Sequence, residues 1–153
     1  MTGPTLLLVE DSSIDEELML RALRGSKVPS EVIVTRDGAE ALDYLFATGV
    51  HAGRNHRLPQ VVLLDLNLPK LGGLDVLRRI RADDRTRRLV VVMLTSSSET
   101  KDIAASYDER ANGYVVKPVD FIELCATLGV VLYYWVVLNI PAHAVATSWP
   151  WEP

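Results

Sequence analysis

Short apolar segments alternate along this chain with longer segments in which apolar residues recur at helical spacing. The short segments predict buried strands at Leu6–Val9, Val32–Thr35, Val61–Leu64, Leu89–Leu94 and Tyr114–Val116. The longer segments predict helices over about 13–24, 39–46, 74–82, 99–107 and 121–138. Five alternations of strand and helix predict a single parallel sheet, covered by helices on both faces.

Residues at the ends of these segments support the helix limits. Ser12 or Ser13 can cap the first helix, and Gly25 follows its last residue. Asp120 can cap the last helix in the same way. The basic run from Arg78 to Arg88 is interrupted by two aspartates, so it predicts a charged helix end and an exposed loop.

Composition narrows the class of protein. The 153 residues, 48% of them apolar, are typical of one globular domain over 1–153, with a core over about 5–138 and an extension over about 139–153. A net charge of -4 disfavours direct nucleic-acid binding. The single cysteine, Cys125, excludes an internal disulfide, and the N-terminus lacks a secretion signal, so we expect a cytoplasmic protein.

Polar side chains directly follow four of the predicted strands. Glu10 and Asp11 follow the first strand and Asp65 the third, while Thr95 and Lys117 follow the fourth and fifth. A lone aspartate after a strand is more often the cap of a turn than a functional residue. Parallel strands, however, present their carboxyl ends at one edge of the sheet, where α/β proteins bind ligands. We therefore expect these side chains to meet.

The expected set has one consistent chemistry. Three carboxylates that meet at one place repel each other unless a cation neutralises them, and oxygen ligands of this kind suit Mg²⁺. A lysine and a hydroxyl beside them can bind phosphoryl oxygens. The set predicts a metal-assisted phosphoryl site with an aspartate as acceptor.

In this order, the residues resemble the receiver domain of two-component response regulators. The resemblance covers about Leu6 to Leu138 and rests on Glu10-Asp11, Asp65 with Pro69 and Gly73 at the expected offsets, Thr95, Tyr114 and Lys117-Pro118. It implies a flavodoxin-like, doubly wound sheet of five parallel strands in the order 2-1-3-4-5. This chain would add an extended C-terminal helix and tail.

The resemblance also implies how the acidic residues act. Asp65 would accept a phosphoryl group from a sensor histidine kinase. Mg²⁺ would be bound by Asp11, by Asp65 and by the backbone carbonyl of Asn67, and Glu10 would contribute through a water.

The resemblance implies that the remaining polar residues bind the phosphoryl group or change conformation when it is present. Lys117 would pair with the phosphoryl oxygens, and its bond to Pro118 is expected to be cis. Thr95 would swing towards the phosphoryl group and Tyr114 would rotate inward behind it, as a switch.

The last helix is unusual because residues 124–142 contain no charged side chain. One of its sides is needed for the receiver core, and a helix that is apolar all round must bury its second side as well. We expect a homodimer through the second side, which carries Val130, Tyr133, Tyr134 and Val137. Trp149 and Trp151 would dock on the partner, and membrane anchoring by the tail is the less favoured alternative.

The predicted function is phosphorylation-dependent signalling by a single-domain regulator, which is not an enzyme acting on a separate substrate. The long loop before the third strand and the apolar tail are similar to stand-alone regulators paired with phytochrome-type histidine kinases. One alternative is a pseudo-receiver, an interaction module without phosphorylation. A haloacid-dehalogenase-like phosphatase also uses a strand-end aspartate, but it requires a second acid where this chain has Asn67.

Overall fold

The computed structural model describes residues 3–55 and 57–144, which contain a five-stranded parallel sheet in the order β2-β1-β3-β4-β5. The strands are β1 (Thr5–Val9), β2 (Glu31–Thr35), β3 (Val61–Leu64), β4 (Val91–Thr95) and β5 (Gly113–Val116). The predicted fold class and strand order are confirmed. The prediction began β4 too early, because Leu89 and Val90 are buried ahead of the paired strand.

Helices lie on both faces of the sheet. They are α1 (Ser13–Arg24), α2 (Gly38–Phe46), α3 (Gly73–Ala82), α4 (Thr100–Asp108) and α5 (Phe121–Leu132). Ser12 and Asp120 cap α1 and α5, since each side chain accepts a hydrogen bond from the backbone N–H three residues later. Gly25 ends α1, as predicted.

The sheet is buried between two apolar layers. Leu7 and Val62 lie in the layer formed with α2 and α3, whereas Leu6 and Leu63 lie in the layer formed with α1 and α5. Strand β3 is at most 1% exposed along its whole length. Burial on both faces explains why the strand sequences are apolar runs without polar alternation.

One residue of the basic run departs from the prediction. Arg81 on α3 is 7% exposed, and its guanidinium donates to the carbonyl oxygens of Leu89 and Arg110 and to the side chain of Asn112. These acceptors lie just before β4 and β5, where the sheet supplies no partner. Arg81 is therefore buried because the backbone carbonyls just before these two strands require hydrogen-bond donors.

The helical segment continues past α5 with a different geometry. Tyr133–Leu138 forms a π-helical turn, in which the N–H of Asn139 donates to the carbonyl of Tyr134 at 2.7 Å. Trp135 and Val136 pack against the core layer on the α1 side. The turn thus extends the helix to Leu138, the predicted end, while keeping part of it in contact with the domain.

Candidate functional site

The register of the sheet brings the predicted acidic residues together. Val9 pairs with Leu64 on the neighbouring strand, so Glu10 and Asp65, which directly follow β1 and β3, lie next to each other. Together with Asp11 they form a cluster in which one carboxylate oxygen from each residue lies within 4.8 Å of the other two. Glu10 and Asp65 are buried, whereas Asp11 is exposed, so the cluster is open to solvent on one side only.

Lys117 follows β5 and reaches into this cluster. Its Nζ lies 3.0 Å from Glu10 Oε2, 3.1 Å from Asp15 Oδ2 and 3.2 Å from Asp65 Oδ2. Burial alone would lower the pKa of Lys117, but the surrounding carboxylates raise this pKa well above its ordinary value. Lys117 is therefore a fixed positive charge beside the predicted phosphoacceptor.

The charge balance of the cluster fits a divalent cation. Glu10, Asp11, Asp15 and Asp65 face the single ammonium of Lys117, so negative charge is in excess when all four are ionised. Burial raises the pKa of Glu10 to about 7, and the hydrogen bond from Lys117 opposes this rise. Oxygen ligands that are partly open to water are the donor set that Mg²⁺ and Mn²⁺ prefer.

The loop after β3 is built to hold Asp65. Its Oδ1 accepts a hydrogen bond from the backbone N–H of Asn67 at 3.2 Å, while its Oδ2 faces Lys117. Gly73 begins α3 directly against this loop, and any Cβ at this position would collide with the carbonyl oxygen of Asp65. Only glycine therefore allows α3 to start this close to the acceptor strand.

The predicted switch residues meet at the loop between β4 and α4. Thr95 is fully buried, and its hydroxyl oxygen lies 3.5 Å from the backbone N of Ser97. The hydroxyl of Tyr114 donates to the carbonyl of Ser97 at 2.8 Å. Ser97 is thus in contact with both side chains, and its own hydroxyl donates to Asp102 on α4.

The bond before Pro118 corrects one expectation. No peptide bond among residues 3–55 and 57–144 is cis, so the predicted cis bond after Lys117 was wrong. The trans form is the intrinsically preferred one before proline, by about 0.5–1 kcal/mol. Lys117 reaches all three carboxylates from the trans backbone.

Asp15 is the residue of this site that the sequence interpretation missed. The sequence places Asp15 in the first turn of the first helix, where an acidic residue is already explained by the helix dipole. In the structure its carboxylate contacts Lys117. Its position in the first turn of α1, three residues after the N-cap Ser12, was the available signal, because this turn directly follows Glu10 and Asp11.

The chain belongs to the response regulator receiver domain family, whose model matches residues 6–129. It is 36% identical over 138 residues to the response regulator Rcp1 of Synechocystis sp., an alignment that covers 90% of this chain and 92% of Rcp1. A Mn²⁺-bound crystal structure of Rcp1 matches this fold with a TM-score of 0.82 at 33% identity, covering 90% of this chain and 98% of that one.

Two further solved structures belong to phytochrome-associated regulators. The phosphorylated cyanobacterial phytochrome response regulator RcpA matches with a TM-score of 0.85 at 36% identity, covering 92% of this chain and 99% of RcpA. The bacteriophytochrome response regulator RtBRR matches with a TM-score of 0.75 at 48% identity, covering 94% of this chain and 86% of RtBRR. The family resemblance and the similarity to phytochrome-associated regulators are both confirmed.

Proposed function

We propose that this chain is a single-domain response regulator that accepts a phosphoryl group on Asp65 in the presence of Mg²⁺. The observation that carries the proposal is the position of Asp65 within a cluster of three carboxylates, 3.2 Å from the ammonium of Lys117. The phosphorylated state of RcpA and the Mn²⁺-bound form of Rcp1 support the same chemistry in similar proteins.

In this proposal Asp65 acts as the nucleophile. One of its oxygens forms a bond to phosphorus while the P–N bond of a kinase phosphohistidine breaks, and the electron pair of that bond leaves with the imidazole. Asp11, Asp65 and the carbonyl of Asn67 would hold Mg²⁺, which would supply positive charge to neutralise the phosphoryl oxygens. Glu10 would contribute to the metal site through a water, and Lys117 donates a hydrogen bond to a phosphoryl oxygen.

The switch follows from the charge that phosphorylation adds. The hydroxyl of Thr95 moves to hydrogen-bond the phosphoryl group, which breaks its contact with the backbone of Ser97. Tyr114 then exchanges its hydrogen bond to the Ser97 carbonyl for a position closer to Thr95. The loop before α4 changes its conformation as a result, and with it the surface presented to a partner.

The proposed phosphoryl donor is a phytochrome-type histidine kinase. RcpA and RtBRR are named as phytochrome and bacteriophytochrome response regulators, and this chain matches nearly their full lengths. We place the reaction in the cytoplasm, where a histidine kinase and its nucleotide are available.

Phosphorylation by a small-molecule donor tests the proposed function. The protein is incubated with acetyl phosphate and Mg²⁺, and its intact mass is measured. We expect the mass of one added phosphoryl group, which disappears in Asp65→Asn and when Mg²⁺ is removed with a chelator. Asp84→Asn is the control, because its carboxylate is exposed on the far loop after α3. Wild-type protein without an adduct would favour the pseudo-receiver instead.

We also propose that the chain forms a homodimer through the outer side of its last helix. Four apolar side chains there are at least half exposed in the single chain: Val130 (70%), Tyr133 (53%), Tyr134 (50%) and Val137 (51%). Such a patch is typical of a protein–protein interface. The predicted contribution of Trp149 and Trp151 lies outside the described residues.

The membrane alternative is weaker for the same helix. Phe121–Leu138 is long and apolar enough to cross a membrane by length and composition, and only 22% of it is buried. Leu124 and Leu128, however, are 5% and 0% exposed within the core layer against α1. Insertion would expose that layer, whereas dimerisation would leave it intact.

A further inference from the structure

Lys117 has three ammonium N–H groups and three carboxylate partners. Glu10, Asp15 and Asp65 each lie within 3.2 Å of its Nζ, so every donor of the ammonium is engaged. A phosphoryl oxygen can bind Lys117 only if one of these contacts is released. The identity of the released partner therefore affects how readily the ammonium reaches a phosphoryl group.

The three partners differ strongly in exposure. The side chains of Glu10 and Asp65 are 1% and 8% exposed, whereas that of Asp15 is 43% exposed. A carboxylate that loses a partner while buried pays a large desolvation cost, and one that faces water is solvated instead. The contact with Asp15 is consequently the one that is released at the least cost.

The surroundings of Asp15 hold its carboxylate against Lys117 without confining the lysine. The backbone N–H of Asp15 donates to the hydroxyl of the N-cap Ser12 at 3.2 Å, which fixes its place in the first turn of α1. A cavity of about 220 Å³ opens beside the ion pair and is lined in part by Ser96 and Pro118. The ammonium therefore has room to change partners without a rearrangement of the core.

We propose, on the basis of the phosphoacceptor function proposed above, that Asp15 is a positioning residue that competes with the phosphoryl group for Lys117. In the unphosphorylated protein it holds the third N–H of the ammonium. When a phosphoryl group reaches Asp65, this N–H passes from Asp15 to a phosphoryl oxygen, and water takes its place at the carboxylate of Asp15.

The test compares Asp15→Asn with a charge-matched control on the same helix. Glu17→Gln removes one negative charge from α1, but Glu17 pairs with Arg21 at the surface, whereas the described carboxylate partners of Lys117 are Glu10, Asp15 and Asp65. We expect the second-order rate constant for phosphorylation by acetyl phosphate, at saturating Mg²⁺, to rise about two- to fivefold in Asp15→Asn, the range that a half-exposed ion pair supports. Glu17→Gln and Asp15→Glu should remain near the wild-type rate constant.

A double-mutant cycle separates a direct contact from general charge repulsion. If Asp15 acts through Lys117, Asp15→Asn has no effect on the rate constant in a Lys117→Gln background, whereas repulsion of the anionic donor by Asp15 would persist there. In metal-free protein, the nitrogen resonance of the Lys117 side chain should shift in Asp15→Asn and remain unchanged in Glu17→Gln.

The outcomes distinguish this inference from the function on which it rests. Wild-type protein that takes up no phosphoryl group would overturn the proposed function. A phosphorylated wild type with the same rate constant as Asp15→Asn, or a lower rate constant in the variant, would overturn only the role of Asp15. An effect of Asp15→Asn that is equally large in the Lys117→Gln background would do the same.

Discussion

Glu10 shows how a single buried carboxylate makes stability depend on pH. Its side chain is 1% exposed, and burial raises its pKa from 4.5 to about 7 despite the hydrogen bond from Lys117. A carboxyl group with a raised pKa in the folded state stabilises that state fully below its ordinary pKa. This contribution is lost as the pH rises through the folded-state pKa.

We therefore expect the free energy of unfolding of the metal-free protein to decrease between about pH 5 and pH 8. The part due to Glu10 is on the order of 1–3 kcal/mol, because each unit of pKa shift corresponds to about 1.4 kcal/mol. Urea unfolding of wild type and Glu10→Gln across this pH range measures the contribution of Glu10 to the free energy of unfolding. The variant should show the shallower pH dependence, and parallel curves would contradict the prediction.

Gly73 provides a second prediction about a single residue. A Cβ at this position meets the backbone of Asp65 and Leu66, whereas a Cβ at Gly129 on α5 has no neighbour within 4 Å. Gly73→Ala should lower the free energy of unfolding by about 1–3 kcal/mol through overpacking. Gly129→Ala, the matched control, should raise it by up to about 1 kcal/mol, because alanine favours helix. Equal effects in chemical denaturation would contradict this account.

Single residues also show where sequence reasoning succeeds. Glu10, Asp65 and Lys117 could be placed together because parallel strands present their carboxyl ends at one edge. Asp15 could not be placed in the same way, since its contact with Lys117 depends on how α1 packs against α5. The burial of Arg81 could not be predicted from the basic run for the same reason, because it also depends on packing between elements.

At the scale of secondary-structure elements, Arg81 connects α3 to the starts of β4 and β5. Its side chain donates to three carbonyl oxygens and one amide oxygen in a largely buried position. Arg81→Met should lower the free energy of unfolding by about 2–4 kcal/mol, because these acceptors lose their donor. Arg79→Met on the exposed side of α3 is the control and should change it little. Similar unfolding midpoints for both variants would refute the role of Arg81.

The elements themselves were largely predictable from the hydrophobic pattern. Apolar runs marked all five strands, and helical spacing marked all five helices. The pattern reports burial rather than hydrogen bonding, which is why the predicted β4 included Leu89 and Val90. The π-helical turn at Tyr133–Leu138 was not predictable, since apolar spacing does not distinguish a local change from i−4 to i−5 hydrogen bonding.

At the scale of the whole molecule, the exposed side of the last helix predicts self-association. Val130→Glu places a charge within the proposed interface, so we expect it to convert a dimer into a monomer. Val50→Glu is the matched control, because Val50 is 80% exposed on the turn after α2, and α2 and the last helix belong to different apolar layers. Size-exclusion chromatography with light scattering measures the mass of each.

The proposed dimer requires wild type and Val50→Glu to have twice the mass of Val130→Glu. A monomeric wild type would contradict the interface. Association of wild type with lipid vesicles, lost in Val130→Glu, would favour the membrane alternative for Phe121–Leu138.

The central claim is that Asp65 carries the phosphoryl group, and chemical trapping tests it most directly. Borohydride reduces an aspartyl phosphate to homoserine, which peptide mass spectrometry locates in the sequence. After treatment with acetyl phosphate and Mg²⁺, we predict homoserine at position 65 and its absence when Mg²⁺ is withheld. Homoserine at Asp11 or at another aspartate, or none at all, would contradict the account.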